Sequence, residues 1–149
     1  MPTDDEAESS SNDRRYDVEL LIAHPTIDPS QITIALGLEA KHSRRVGNSR
    51  MTPKGKLLQG NYPDTRWRHS TRYTTQDQQF ADKVELLVKR LEPHKTFLRN
   101  LSAEGGSATI VIQFLGDGYF GDEIPVSTLA RIADLGLSLS IEVFAVPQS

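Results

Sequence analysis

Residues 108–115 read Ala-Thr-Ile-Val-Ile-Gln-Phe-Leu, an apolar run broken by one threonine and one glutamine. So short a run, rich in β-branched residues, fits a strand buried on both faces, which places it at the centre of a sheet. Gly105-Gly106 turns the chain into it, and a glycine-rich turn from Gly116 to Gly121 leads out of it. Upstream, Phe80, Val84, Leu87, Val88 and Leu91 make one apolar stripe that predicts a helix over 76–91. Pro93 ends that run, and Phe97, Leu98 and Leu101 predict a second short helix. Downstream, Ser127 reads as the cap of a helix carrying Leu129, Ile132, Ala133 and Leu135. Gly136 stops it, and 137–146 alternates as a final strand.

The first half supplies the partners of that strand. In 16–23, Val18, Leu20 and Ile22 alternate with Asp17, Glu19 and Leu21, the period of a strand with one buried face. His24-Pro25 ends it. Asp28-Pro29-Ser30 then starts a short helix with Ile32, Ala35 and Leu36 on one face and Gly37 as its stop. From 41 to 64 glycines and prolines punctuate a stretch with no apolar period, which reads as a long loop. A strand resumes over 66–73 around Trp67, the one tryptophan. The expected fold is α+β, a mainly antiparallel sheet of four or five strands with its helices packed on one face. Phe80, Val84, Leu87, Val88, Leu129, Ile132, Val111 and Ile112 are expected in its core.

The chain of 149 residues has room for one core. A globule of this size hides roughly two-thirds of its unfolded surface, enough to stand without cross-links. None are on offer, because there is no cysteine, which also excludes thiolate zinc sites and cysteine nucleophiles. Residues 1–15 hold Asp4, Asp5, Glu6, Glu8 and Asp13 with almost nothing apolar, so they read as a disordered acidic tail before a single domain over 16–149. That tail is not a signal peptide, and no run approaches the ~18 apolar residues of a membrane span. A soluble, cytoplasmic protein with no membrane partner is the expectation.

The net charge of −3 conceals a segregation. Nine lysines and arginines fall in 41–73, opposed there by Asp64 alone. Such a block repels itself and holds anions well. Arg44, Arg45, Arg66, Arg68 and Arg72 are the candidate anion- or partner-binding residues. Trp67 joins them as a stacking surface, although a strand would turn it into the core and leave Arg66 and Arg68 outside.

The order of Asp28-Pro29, Leu36-Gly37-Leu38, a basic glycine-containing loop, Trp67 in a strand, an amphipathic helix and Leu135-Gly136-Leu137 before a last strand is distinctive. It resembles the bacterial family catalogued as domain of unknown function 4279, from Tyr16 onward. The resemblance implies a small α+β fold and supplies no activity. By analogy with small bacterial families whose members neutralise toxins, it also admits an immunity role.

No catalytic or metal motif stands beside these residues. His24, His42, His69 and His94 lack the spacing that puts two imidazoles on one ion. Asp117, Asp122 and Glu123 crowd the glycine-rich turn but do not form a calcium loop, and its glycines do not form a phosphate loop. No cofactor or metal is expected, and the enzyme question stays open, leaning against. The leading expectation is a non-enzymatic module that binds an acidic protein through the basic loop and strand, with nucleic acid second. The alternative is an enzyme or sensor for a phosphorylated or otherwise anionic small ligand, with Asp117, Asp122 or Glu123 brought to the arginines as its base.

Overall fold

Val18, Leu20 and Ile22 put the first strand, Arg15–His24, in the middle of the sheet, where all three are buried. A computed structural model describes residues 14–74, 79–116 and 119–144. In chain order the elements are β1 (Arg15–His24), α1 (Pro29–Leu36), β2 (His42–Arg44), β3 (Ser49–Met51), β4 (Leu57–Asn61) and β5 (Thr65–Thr74). Then come α2 (Phe80–Leu91), a 3-10 turn (Glu92–His94), α3 (Lys95–Ala103), β6 (Ser107–Leu115), α4 (Val126–Asp134) and β7 (Ser138–Phe144). Five strands form one sheet in the order β2-β5-β1-β6-β7, and β3 and β4 form a separate ribbon.

The α+β expectation holds: β1–β5, β1–β6 and β2–β5 pair antiparallel, and the helices share one face of the sheet. Only β6–β7 is parallel, because α4 carries the chain back to the same end before β7 begins. The 108–115 run is interior, flanked by β1 and β7, while β1 holds the centre. Tyr16, Val18, Leu20 and Ile22 of β1 pack with Ile110, Ile112 and Phe114 of β6, with Trp67 of β5, and with Val84, Val88, Leu98, Leu101 and Ile132 of the helices.

Local chemistry explains the helix ends. Asp28 caps α1 by accepting from the Ser30 amide at 2.9 Å, and Gly37 closes it in the left-handed region at φ 65°. Pro93 does not break the chain's path but sits in the 3-10 turn that joins α2 to α3. Helix α2 starts at Phe80, and the predicted positions 76–78 lie outside the described residues. Its side-chain cap comes from elsewhere: Asp122 accepts from the Ala81 amide at 3.1 Å.

Several expectations are corrected. The 41–64 stretch is no simple loop, since it contains β2 and the β3–β4 hairpin. That hairpin has no apolar period because it packs outside the core, with Met51, Leu57 and Leu58 exposed. Ser127 is not a cap, for α4 begins at Val126 after Pro125. Leu129 is 42% exposed instead of core. β1 is buried on both faces, with Asp17 and Glu19 covered as well as Val18 and Leu20. On β7, Ile141 and Val143 stay exposed despite the alternation, because nothing described covers that end of the edge strand. The acidic stretch 1–13 and the end of the final strand at 145–146 lie outside the described residues. Arg14 and Arg15, grouped with the tail, belong to the fold: Arg15 opens β1, and Arg14 donates to the Tyr119 carbonyl and lies over Phe120.

Candidate functional site

Register decides which side chains share the helix-free face of the sheet. β1 and β5 align Asp17 with Arg72, Glu19 with Ser70, Leu21 with Arg68 and Ala23 with Arg66. β2 then sets His42 beside Arg68 and Arg44 beside Arg66. Alternation gathers Arg44, Arg66, Arg68 and Arg72 on this face and turns Trp67 to the other. Trp67 is fully buried, stacked near His69, and its Nε1 donates to Thr33 Oγ1 at 3.0 Å. It is a core residue and offers no stacking surface.

The arginines are not unopposed. Asp64 accepts from Arg44 at 2.6 Å and from Arg66 at 3.0 Å, and the Arg44 bond above all holds its carboxyl below the usual aspartate range. Asp17 takes Arg72 in a fork, at 2.9 and 3.3 Å, and raises the guanidinium above its ordinary value. Arg45 lies away from this group, 3.4 Å from Asp28 beside α1. The acidic residues of β1 that cover these charges were invisible as partners until the register was known.

Arg68 differs from the other three. Its nearest carboxylate is Glu19, whose Oε1 lies 3.8 Å from Arg68 Nε, beyond hydrogen-bond range. Glu19 is 1% exposed, and no described group donates a hydrogen bond to that oxygen. The Arg68 side chain is 35% exposed. It opens on a groove of about 280 Å3 with Leu21 as its apolar base and His42, Arg44 and Arg66 around it. A larger groove, about 930 Å3, lies along β2 toward the hairpin, where Arg44 rests over the Tyr62 ring at 5.0 Å.

The remaining candidates stay apart. His24 Nδ1 accepts from the amides of Thr26 and Ile27, at 3.0 and 2.9 Å, so the proton sits on Nε2, which donates to Glu104 at 2.9 Å. Both nitrogens are committed, and the imidazole ties a turn instead of serving a substrate. His69 contacts the Glu39 carbonyl at 2.8 Å. Among the described residues no cluster of histidine and carboxylate side chains could hold a metal ion. Asp122 is committed to the start of α2 and Glu123 follows it there, while Asp117 lies outside the described residues.

A family model described as Domain of unknown function (DUF4279) matches residues 14–145, from the residue before β1 to the residue after β7. The chain belongs to that family. No curated protein and no solved structure matches it. The DUF4279 match therefore spans every described residue. No helix among the described residues is long and apolar enough to cross a membrane.

Proposed function

We propose that this domain is a binding module whose helix-free sheet face takes an acidic protein partner, with Arg68 as the central contact. The observation that supports it is the state of Arg68. Three neighbouring guanidiniums already donate to carboxylates, whereas the Arg68 guanidinium makes no hydrogen bond among the described residues and faces a groove with the buried Glu19 carboxylate behind it. A carboxylate from a partner would complete the pattern that Asp64 and Asp17 set. Of these pairs Arg66–Asp64 is exposed and worth about 0.2–1 kcal/mol, so it exchanges readily for an intermolecular one.

Basicity favours this reading over a small-ligand enzyme. Asp64, the carboxylate beside Arg44 and Arg66, is held ionised by them and is a weak base. The face suits an acidic partner, so a toxin-neutralising role would require a toxin with an acidic surface.

Anisotropy of a labelled polyglutamate peptide, set against inorganic phosphate and a DNA duplex of equal charge, tests the proposal. The peptide should bind, and Arg68→Gln should weaken it about tenfold, the loss of one charge-assisted contact. Circular dichroism checks that the variant is folded. Preferential duplex binding, with a log–log salt slope near −0.9 per neutralised phosphate, would replace the protein partner by nucleic acid. Saturable phosphate binding abolished by a single arginine change would restore the small-ligand alternative.

A further inference from the structure

We infer that the groove along β2 receives an extended acidic segment of the partner, which adds to the sheet as a further strand outside β2; this deepens the acidic-partner reading and rests on it. β2 ends the strand order, so among the described residues its outer edge carries no neighbour in the sheet. A free edge presents backbone groups that another extended chain can complete. The groove of about 930 Å3 runs beside this edge, between β2 and the hairpin from Asn48 and Tyr62 to the turn at Thr52 and Pro53. It is more than a single anion requires, and it sits where an added strand would lie.

Its charge selects the occupant. Arg44, Arg45 and His42 line the groove, and no aspartate or glutamate among the described residues does. The cleft on the other side of Arg45, near His24, is by contrast lined by Asp28 and Glu104. Arg44 is already fixed by Asp64 and Tyr62, so little side-chain freedom is lost when its remaining donors meet a carboxylate. Met51, Pro53 and Tyr62 line it as well, with the Tyr62 ring against Arg44. On an added strand, residues of one parity would share the face of His42 and Arg44 and residues of the other the face of Ser43, so acidic side chains are called for at the first parity and apolar ones suffice at the second. The groove therefore suits an alternating acidic-apolar segment, not a uniformly charged one.

The test uses the full chain and a Glu-Val-Glu-Val-Glu peptide, about 17 Å long when extended. A second peptide of the same sequence carries N-methyl groups on alternate amides, and polyglutamate is the third probe. Binding is followed by amide shifts in nuclear magnetic resonance. The alternating peptide should bind best, shift the amides of His42, Ser43 and Arg44, and weaken at least about tenfold on N-methylation. Arg45→Gln should weaken it several-fold, and this solvent-facing change spares the core. Binding that ignores N-methylation, with shifts confined to Arg66, Arg68 and Arg72, would overturn the strand addition and leave the acidic-partner reading standing. Binding of no acidic peptide would overturn both. Tighter binding of a duplex at the same amides would assign the groove to nucleic acid and overturn the strand addition as well.

Discussion

The indole nitrogen of Trp67 donates to the hydroxyl of Thr33 at 3.0 Å, which locks β5 to α1 across the interior. Because the ring is fully buried, Trp67→Ala should cost about 3–5 kcal/mol, enough to threaten a domain of ordinary stability. Thr33→Val removes only the acceptor and should cost about 1–2 kcal/mol. Urea denaturation followed by far-ultraviolet circular dichroism checks both. Emission like that of free tryptophan in the folded protein would contradict the buried ring.

Glu19 and Arg68 should behave as a coupled pair. Arg68→Gln removes the nearer counter-charge of a buried carboxylate, leaving it the more distant Arg72, and should destabilise by about 1–3 kcal/mol. Combining it with Glu19→Leu should recover most of that loss, since an apolar replacement needs no partner. A double-mutant cycle in urea measures the coupling. Additive single changes would show that the two side chains do not sense each other.

Asp64 gives the fold an acid-sensitive contribution. Hydrogen bonds from Arg44 first and Arg66 second depress its folded pKa below the unfolded value of about 3.9. The stabilisation is therefore present above that value and is lost as pH falls through the folded pKa. Asp64→Asn should lower the urea midpoint at pH 6–7, and its gap from the parent should shrink below about pH 4. Glu92, held low by Arg131, and Asp134, held low by Lys95, titrate in the same sense and steepen the parent's own acid loss.

Two glycines separate backbone strain from steric exclusion. Gly37 sits at φ 65° with open space where a methyl group would project, so Gly37→Ala should cost about 1 kcal/mol from conformation alone. A Cβ on Gly106 would come 2.8 Å from the carbonyl oxygens of both Ala23 and Leu101. Gly106→Ala must displace backbone and should cost more than Gly37→Ala. Melting temperatures of the two variants settle the order.

The elements that pack on the core announced themselves in the sequence. Alternation in β1, the stripe of α2, the Asp28–Pro29 start and the Gly37 stop are all signals of burial or backbone geometry, and they matched the structure. The hairpin was illegible because its Met51, Leu57 and Leu58 face outward, so no burial imposes a period on it. The parallel course of β7 was illegible because alternation is the same in either direction. For the candidate face, alternation alone set Arg66 and Arg68 opposite Trp67. The partners Asp17 of Arg72 and Glu19 of Arg68 required the β1–β5 register, and the Arg44–Asp64 contact the β2–β5 pairing, both fixed by long-range packing.

The strand order also has a history in time. No neighbours in the five-stranded sheet are joined by a tight turn, and Leu20 must wait for His69 on one side and Ile110 on the other. The central strand is made first and gains its second neighbour only with the sixth. Such non-local closure slows folding relative to a helical bundle of the same size. Until residue 115 has left the ribosome, Val18, Leu20 and Ile22 have no finished sheet to enter, so these apolar side chains stay uncovered while the rest of the chain is made.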